Sequence, residues 1–256
     1  MDIKIGLDLG STAIKMVVVE GDQIIGRRVA PTSPGQDALA QKLIDGALAE
    51  LGRKPAEIRG VASTGYGKKL FTGAGMNIDE ISANALGLFR LSGGQARTII
   101  NIGGQDLKVL NLSEAGKITD FRMNDKCAAG TGRFFELVAR LLDTPLERFG
   151  ELSRAGAPDL ELNNTCVVFA ESEIVSLLAR GESRETIIRG LHGSVARRVA
   201  GMVHHQLPDD GAVYLDGGPA NNPGLKAALE DELMVEVKVL AEPQFTVAYG
   251  AALALS

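Results

Sequence analysis

The sequence contains no tryptophan, only two cysteines and three histidines, and aromatic residues occupy 4% of its 256 positions. Two cysteines are too few for a disulfide scaffold, which small secreted domains build from several bridges. The sequence also lacks an excess of positive charge, because 27 Lys and Arg oppose 32 Asp and Glu, for a net charge of −5. Nucleic-acid binding depends on neutralising phosphates, so we expect no DNA or RNA partner.

Long apolar runs are missing as well, since charged residues interrupt each one before the roughly 20 residues needed to cross a bilayer. The first residues lead directly into a strand-like pattern and lack the basic, apolar and cleavage segments of a signal peptide. We therefore expect a cytoplasmic protein with no membrane partner. With 45% hydrophobic and 23% charged residues, the chain has the composition of an ordinary globular protein that buries a substantial core.

Glycine, by contrast, is abundant at 31 residues, and it marks an internal repeat. Residues 8–16 align with residues 101–109 at an offset of 93 residues. The alignment contains two identities, a glycine and a lysine: Gly10 with Gly103, and Lys15 with Lys108. Chance is the other explanation of so short a match, but each copy also lies in the same order of apolar run, glycine turn and second β-rich run.

This order predicts two β-meanders, each followed by helices, and hence two α/β units of like design. We place the first unit at residues 1–92 and the second at residues 93–244, with a C-terminal helix at 245–256 that packs back on the first unit. Apolar periodicity predicts further helices at residues 36–51, 132–142, 172–179 and 183–206. Buried strands are expected at residues 60–63, 212–215 and 235–240.

Three glycine turns each follow an apolar strand, and they form the sequences Asp8-Leu9-Gly10-Ser11-Thr12, Asn101-Ile102-Gly103-Gly104-Gln105-Asp106 and Asp216-Gly217-Gly218. Glycine lets backbone N–H groups converge on an anion, and serine and threonine hydroxyls add donors. A carboxylate beside such a turn can hold water on Mg²⁺, for which Asp8 and Asp106 are the candidates. Each turn alone is more typical of a plain hairpin, but three in this order, together with the repeat, favour phosphate binding.

Two other nucleotide motifs do not fit the sequence. Gly60 and Gly65 have the spacing of a P-loop, but Tyr66 stands where its lysine belongs. No G-x-G-x-x-G opens a helix after a predicted strand, which disfavours a dinucleotide-binding fold.

The three glycine turns resemble the phosphate-1, phosphate-2 and adenosine motifs of the acetate-kinase, sugar-kinase, Hsp70 and actin superfamily. Within it, residues 124–134, NDKCAAGTGRF, and residues 166–173, CVVFAESE, resemble the ATP-dependent iron–sulfur activators of 2-hydroxyacyl-CoA dehydratases. The ATPase subunits of benzoyl-CoA reductases are similar too. The resemblance covers essentially the whole chain, and the two cysteine motifs are its most specific part.

The resemblance implies two duplicated actin-like (ribonuclease H-like) α/β units with a nucleotide cleft between them. It implies ATP or ADP with Mg²⁺ as ligands, and one [4Fe–4S] cluster per homodimer, held by Cys127 and Cys166 of each chain. The residues expected to act in catalysis are Asp8, Gln105 and Asp106. The residues expected to bind the nucleotide are Gly10, Ser11, Thr12, Lys15, Gly103, Gly104, Gly217, Gly218 and Asn222.

The activity implied is ATP-driven delivery of single low-potential electrons to a partner iron–sulfur enzyme. Such partners include a 2-hydroxyacyl-CoA dehydratase, an aromatic-ring reductase and a double-cubane cluster protein, with a ferredoxin or flavodoxin as the electron donor. A sugar or small-acid kinase of the same superfamily is the alternative, although 256 residues leave little room for a substrate domain. A nucleotide sensor without turnover is a third.

The sequence departs from the family pattern at two places. Asn101 stands where the superfamily usually has aspartate, which removes one carboxylate near the expected metal. Pro219 and Asn221 replace an aliphatic and a basic residue, so nucleotide contacts after Gly218 are expected to differ in detail.

The number of cysteines itself bears on the assembly. A [4Fe–4S] cube is held by four thiolates, and one chain supplies two, so a cluster requires a two-fold symmetric dimer. Each cysteine precedes a predicted helix start, whose positive dipole end stabilises thiolate. Inert buried thiols and a structural zinc shared by two chains are the other fates open to Cys127 and Cys166. The three histidines are expected to be surface or packing residues.

Overall fold

The computed structural model describes residues 3–124, 126–158, 160–162, 166–203, 207 and 212–255. Two compact units make up the chain. Unit 1 comprises Met1–Ala96, Leu112–Ile118 and Gln244–Ser256, and unit 2 comprises Arg97–Asn111 and Thr119–Pro243. Relative to the predicted division after residue 92, unit 1 of the structure extends to Ala96 and also takes in the turn Leu112–Ile118.

Unit 1 is built on a five-stranded sheet with the order β3-β2-β1-β4-β5. The first three strands form an antiparallel meander, and β4 lies parallel to β1 on its other side. The strand bounds are β1 Ile3–Leu9, β2 Ala13–Glu20, β3 Gln23–Pro31, β4 Ile58–Thr64 and β5 Met76–Asn77.

The second sheet repeats this design with the order β10-β9-β6-β7-β8. Again an antiparallel pair, β6 and β7, carries a glycine turn, and a later strand, β9, borders the first strand of the meander. The strand bounds are β6 Ala96–Ile102, β7 Leu107–Leu112, β8 Ile118–Asn124, β9 Ala212–Asp216 and β10 Val237–Val239.

Eight α-helices are present among the described residues. Their bounds are α1 Gln36–Leu51, α2 Glu80–Leu91, α3 Gly132–Leu141, α4 Phe149–Leu152, α5 Val167–Ala179, α6 Arg184–Met202, α7 Pro223–Leu233 and α8 Thr246–Leu253. Within the described part of the chain, no helix combines the length and apolarity that a membrane crossing needs.

The sheet of unit 1 is covered on both faces because neighbouring side chains of a strand point to opposite sides. On one face Val18 packs with Ile44 and Leu48 of α1. On the other face Val17 and Val19 pack with Phe245, Ala248, Tyr249 and Ala252 at the C-terminal helix α8. The C-terminal segment therefore completes the core of unit 1.

The core of unit 2 is one cluster formed by the sheet and helices α3, α5, α6 and α7. Ile100, Ile102, Leu107, Val213 and Leu215 come from the strands, and the helices add, among others, Phe134, Ile174, Leu191 and Leu225. All nine of these side chains are essentially inaccessible to solvent. The glycine turns emerge from the ends of strands that this core holds in place.

The predicted repeat is confirmed by strand register. Asp8 lies opposite Lys15 across β1 and β2, and Asn101 lies opposite Lys108 across β6 and β7, at the same offset of 93 residues. Two helices differ from prediction. Helix α5 begins at Val167, before the expected Ser172, and α6 ends at Met202; the end predicted for it at residue 206, with the two histidines at 204 and 205, lies outside the described residues.

Candidate functional site

The first glycine turn joins β1 to β2 in unit 1. Its closure depends on the backbone, since the Gly10 amide donates to the carbonyl of Ala13 at 3.2 Å and the Thr32 hydroxyl donates to the carbonyl of Gly10 at 2.7 Å. Ser11 and Thr12 are half-buried at the tip of this turn. The predicted phosphate-1 residues thus form an ordered hairpin turn rather than an open loop.

Asp8 lies at the carboxyl end of β1, immediately before this turn, and it is 4% exposed. The Lys15 ammonium donates to its Oδ2 at 2.9 Å from the neighbouring strand. The other carboxylate oxygen, Oδ1, is buried and accepts no hydrogen bond from any described residue. Thr64, paired with Asp8 in the parallel register of β1 and β4, is fully buried, and its Oγ1 likewise has no partner in the described part of the chain.

Buried polar atoms are normally hydrogen-bonded, so a pair of them at one strand edge indicates a place for water or a ligand. A carboxylate oxygen and a hydroxyl are the oxygen groups that hold a hydrated Mg²⁺. The chemistry of this donor set therefore fits a magnesium ion that arrives with a nucleotide. The ammonium group of Lys15 balances the negative charge of the Asp8 carboxylate.

The second glycine turn joins β6 to β7 in unit 2 and is closed by the equivalent bond, from the Gly103 amide to the carbonyl of Asp106 at 2.9 Å. Asp106 is 3% exposed, and its Oδ1 accepts from the Lys108 ammonium at 2.7 Å. A Cβ at Gly103 would lie 2.3 Å from that same Oδ1, so only glycine leaves room for the carboxylate. Gln105 is exposed at the tip of the turn, with Gly104 half-buried before it.

A buried pair that no sequence pattern predicts connects the second and third glycine turns. The side-chain amide Nδ2 of Asn101 donates to Oδ2 of Asp216 at 2.9 Å. Asn101 is 3% and Asp216 is 1% exposed. The two residues are 115 positions apart in the chain, and only the order of strands in the sheet brings them together.

The third glycine turn follows β9. Gly217 has a positive φ of 89°, and Gly218 opens a short 3₁₀ turn that ends at Asn221. Asn222 then caps α7, because its Oδ1 accepts from the amides of Gly224 and Leu225, and its Nδ2 bonds His192 Nε2 at 2.8 Å. The side-chain amide of Asn222 is therefore occupied by its own unit.

His192 is enclosed by the core of unit 2, in contact with the rings of Phe135 and Phe149. Burial lowers the pKa of His192 to about 3, so its imidazole is neutral. Because Nδ2 of Asn222 is a donor, Nε2 of His192 accepts and Nδ1 carries the proton. The histidine serves the packing around α7, as the sequence predicts.

Cys127 lies in a tightly folded segment between β8 and α3. The Asn124 side chain donates to the carbonyl of Cys127 at 3.0 Å, and the Thr131 hydroxyl donates to the carbonyl of Ala128 at 2.7 Å. Gly130 has a φ of 85°, which glycine adopts without strain. The thiol is half-buried, so the segment presents it near the surface in a fixed conformation.

Cys166 is the N-cap of α5, with extended backbone at φ −147° and ψ 137°. Its thiol is half-buried, and neither cysteine forms a disulfide. The helix that it opens exposes apolar side chains, with Val168 65%, Phe169 63% and Val175 52% accessible. These three side chains form an apolar strip that is exposed in the single chain.

Both cysteines belong to unit 2, and no group of three or more metal-ligating side chains occurs within the described ranges of a single chain. Two half-buried thiols supply half of what a [4Fe–4S] cube binds. The donor set of one chain thus fits a cluster that two chains share, and it does not form a complete site alone.

Comparison with known proteins agrees with the fold. The sequence model of the BadF/BadG/BcrA/BcrD ATPase family matches residues 5–254. An activator of lactoyl-CoA dehydratase from Anaerotignum propionicum is 42% identical over 251 residues, covering 97% of this chain and 95% of the relative. The (R)-2-hydroxyglutaryl-CoA dehydratase activating ATPase of Acidaminococcus fermentans is 37% identical over 252 residues, covering 97% and 95%.

Solved structures of dehydratase activators also resemble this chain. The activator of 2-hydroxyisocaproyl-CoA dehydratase from Clostridium difficile, with bound ADPNP, superposes with a TM-score of 0.92 at 36% identity, over 99% of this chain and 94% of that one. A ROK family glucokinase from Streptomyces griseus reaches a TM-score of 0.56 at 15% identity, over 98% of each chain, a likeness in fold alone. The predicted actin-like α/β fold is therefore confirmed.

Proposed function

The chain belongs to the BadF/BadG/BcrA/BcrD ATPase family, and from this premise we propose that it is an ATP-driven one-electron donor that activates a partner iron–sulfur enzyme. The relatives that activate lactoyl-CoA and 2-hydroxyglutaryl-CoA dehydratases support a 2-hydroxyacyl-CoA dehydratase as the partner. A related reductase or a double-cubane cluster protein has the same need for low-potential electrons. The placement of Cys166 at the N-cap of α5, and of Cys127 in the turn that leads into α3 of the same unit, carries the proposal.

ATP binding is supported by the family and by the relative that holds ADPNP. In unit 1 we assign phosphate contacts to the turn of Gly10, Ser11 and Thr12, with Lys15 balancing charge. In unit 2 we assign them to Gly103 and Gly104, and the adenosine end to the turn of Gly217 and Gly218. Asn222 contributes by fixing the start of α7, since its side chain already makes three hydrogen bonds.

Three side chains are assigned to hydrolysis. Asp8 orients water on Mg²⁺ through Oδ1, the buried oxygen that accepts no hydrogen bond from a described residue. Asp106 is held by Lys108 at 2.7 Å, so its carboxylate stays in one position while the nucleotide changes. Gln105 is exposed at the end of the turn and supplies an amide to the terminal phosphate or to the attacking water.

Cys127 and Cys166 are assigned as ligands of a [4Fe–4S] cluster. When bound, the cluster supplies single electrons at low potential. Cys166 opens α5, and a helix N-terminus stabilises a thiolate. The folded turn around Gly130 holds the Cys127 backbone before α3 begins. Both thiols are therefore positioned by the protein before any metal arrives.

We propose a homodimer in which two chains contribute four thiolates. The exposed side chains of Val168, Phe169 and Val175 lie on the helix that Cys166 opens, and burying them supplies the apolar contact that a dimer needs. Covering this strip also keeps water away from the thiolates. Because free thiolates persist in a reducing compartment, we propose a cytoplasmic location, with a ferredoxin or flavodoxin as the electron donor.

A kinase role is less well supported. The glucokinase shares 15% identity and the fold alone, whereas the dehydratase activators share 37% to 42%. A kinase reaction also assigns no chemical role to Cys127 and Cys166. The higher identity to the activators and the two cysteines therefore favour the activator.

Anaerobic purification tests the proposal. We expect brown protein with a broad absorption band at roughly 400 nm, as is general for such clusters, four iron atoms per dimer, and ATP-dependent reduction of an iron–sulfur dehydratase. Cys127→Ala and Cys166→Ala should each remove the band and the electron transfer while leaving ADP binding intact. Colourless, iron-free protein that phosphorylates a sugar or small acid would overturn the proposal in favour of the kinase.

A further inference from the structure

The hydrogen bond between Asn101 and Asp216 joins the carboxyl ends of two strands of unit 2. Asn101 is the penultimate residue of β6, and Asp216 is the last residue of β9. The donor and acceptor are 2.9 Å apart, and both side chains are more than nine-tenths buried. A carboxylate held this deeply needs a specific partner, and Asn101 supplies one.

Asn101 has a counterpart in the other copy of the internal repeat. Its counterpart in unit 1 is Asp8, which faces Lys15 across the hairpin and pairs with it at 2.9 Å. In unit 2 the facing residue is Lys108, and it pairs with Asp106 instead, at 2.7 Å. Unit 2 therefore keeps the lysine of the repeat but has lost the carboxylate opposite to it.

Asparagine at position 101 and aspartate at position 216 fit each other. The amide of Asn101 donates one hydrogen to Oδ2 of Asp216. An aspartate at position 101 would place a second acceptor-only carboxylate against Asp216 in a buried setting, which is strongly unfavourable unless one of the two is protonated. In unit 2 the carboxylate of this pair thus stands at the end of β9, and the amide stands at the end of β6.

This position keeps the carboxylate at the base of the phosphate turn. Gly217 follows Asp216, and a Cβ on Gly217 would lie 2.2 Å from the carbonyl oxygen of Ile102. Ile102 is the residue immediately before Gly103 of the phosphate turn. The ends of β9 and β6 are thus in direct contact, and Asp216 lies beside the start of that turn.

We infer that Asp216 supplies the carboxylate that unit 2 directs at the hydration shell of nucleotide-bound Mg²⁺, and that Asn101 is the positioning residue that orients it. This inference rests on the proposed function, because it assumes a magnesium nucleotide at the phosphate turns. Mg²⁺ keeps several waters and is bound through one or two carboxylates together with substrate phosphates. In unit 2 Asp216 is such a carboxylate.

An exchange of the two side chains tests the inference. The affinity of the anaerobically purified full chain for ADP is measured by calorimetry with Mg²⁺ and with EDTA. The dissociation constant in EDTA divided by that in Mg²⁺ gives a ratio that measures how much Mg²⁺ strengthens binding, and this ratio is compared among variants. Asp216→Asn should lower this ratio by roughly tenfold or more, as is typical when a group that orients metal ligands is lost. The double variant N101D/D216N returns the carboxylate to β6 and should recover most of the ratio.

Two further variants serve as controls. Asp231→Asn removes an exposed carboxylate of the same unit and should leave the ratio unchanged. Asn101→Asp alone brings two carboxylates together and should lower the melting temperature of the protein, a loss that D216N relieves. The double variant retains one carboxylate and one amide, so the test stands even where a single variant folds poorly.

Asp216→Asn with the wild-type ratio, or a double variant that binds ADP without regard to Mg²⁺, overturns the inference. These results leave the proposed function intact, because wild-type protein would still show a cluster and magnesium-dependent ADP binding. Wild-type protein that binds ADP equally well with Mg²⁺ and with EDTA overturns both. The iron content, measured on the same samples, separates a failure at Asp216 from a failure of the activator proposal.

Discussion

The backbone amide of Gly132 donates a hydrogen bond of 2.8 Å to the carbonyl of Gly103, and the amide of Arg133 donates to Gly104 at 2.9 Å. The first amides of a helix have no partner within it, so α3 finds its partners in the phosphate turn of unit 2. The Cys127 segment leads directly into this helix. We therefore expect a change in the phosphate turn to reach the backbone around Cys127 through these two hydrogen bonds.

Replacing Gly132 with proline tests this connection. Proline at the first position of a helix is favoured, and Thr131 already has the extended backbone, φ −114° and ψ 172°, that precedes proline. At position 132 proline removes the amide donor and places its Cδ against the carbonyl of Gly103, so the phosphate turn must move away from the helix. One hydrogen bond is worth about 0.5–1.5 kcal/mol, so we expect ADP affinity to fall about 2- to 10-fold. We also expect ADP to lose most of its effect on the alkylation rate of Cys127, measured by mass spectrometry on iron-free protein.

Gly132→Ala is the matched control, because alanine keeps the amide donor and its Cβ would lie 3.2 Å from the carbonyl oxygen of Gly103, a contact that small adjustments relieve. The alanine variant should respond to ADP like the wild type. Equal responses of the proline and alanine variants would show that the connection between the turn and Cys127 runs elsewhere.

The second prediction concerns the apolar strip of α5. Phe169 is 63% exposed in the single chain, and burying such a side chain contributes about 1.5–3 kcal/mol. Because each chain of a homodimer contributes one copy, Phe169→Glu should raise the dimer dissociation constant by at least about 100-fold. Sedimentation velocity measures the dimer, and the iron content should fall with it.

Met234 provides the control, since it is 85% exposed at the end of α7, away from the helix that Cys166 opens. Met234→Glu should leave the dimer and the iron content unchanged. A Phe169→Glu protein that remains a brown dimer would remove α5 from the proposed interface.

Much of the fold is readable from the sequence because the signals are local. The glycine and lysine of the repeat fix the register of both hairpins, since a residue opposite its partner in one copy stays opposite in the other. Helix α1, which shows a regular apolar face, was predicted with its observed bounds, Gln36–Leu51. Local pattern also located both cysteine segments before helices.

Apolar periodicity does not predict helices α2 and α7, and their sequences explain why. Asn84 and Gly87 lie on the buried face of α2, which interrupts the apolar periodicity. Helix α7 follows Asn222 and Pro223, which read as a loop but in fact form an N-cap and a first helical position. The start of α5 was predicted too late because Val167 and Val168 are β-branched and suggest a strand.

Local sequence patterns do not predict side-chain pairs between strands that are far apart in the chain. Nothing in the neighbourhood of Asn101 indicates that Asp216 will meet it, because the contact depends on β9 pairing beside β6 in the finished sheet. The sequence raised doubt about metal binding at Asn101, whereas the structure identifies a second carboxylate nearby. The hydrogen bonds of Gly132 and Arg133 to the phosphate turn are of the same non-local kind.

The third prediction compares two buried threonines. Thr64 is fully buried, and its hydroxyl has no hydrogen-bond partner among the described residues, which costs about 1–3 kcal/mol. We expect Thr64→Val to stabilise the nucleotide-free protein by about 1 kcal/mol, which raises the melting temperature by about 2–4 °C in a chain of this size. The same change should weaken MgADP binding if the hydroxyl serves the water around Asp8.

Thr98 is the matched control, as it is equally buried but its hydroxyl bonds Asn111 at 3.0 Å. Thr98→Val should lower the melting temperature, since it leaves that amide without its partner. A Thr64→Val protein that is less stable than the wild type would mean that the hydroxyl is satisfied in solution by an ordered water.

The last prediction concerns the response of unit 2 to acid. His192 is 1% exposed, and burial lowers its pKa to about 3, whereas an unfolded histidine titrates near 6.5. Below pH 6.5 the unfolded chain takes up a proton that the folded chain does not, so stability falls as the pH drops toward 3. At pH 4.5, about two pH units below the pKa of an unfolded histidine, this residue therefore lowers the free energy of unfolding by about 2.7 kcal/mol.

His192→Gln removes this titration. The side-chain carbonyl oxygen of glutamine can still accept a hydrogen bond from Asn222, as His192 Nε2 does at 2.8 Å. Urea unfolding at pH 7 and pH 4.5 should therefore show the wild type losing about 2.7 kcal/mol more than the variant, whereas equal losses would mean that the imidazole is protonated inside the fold.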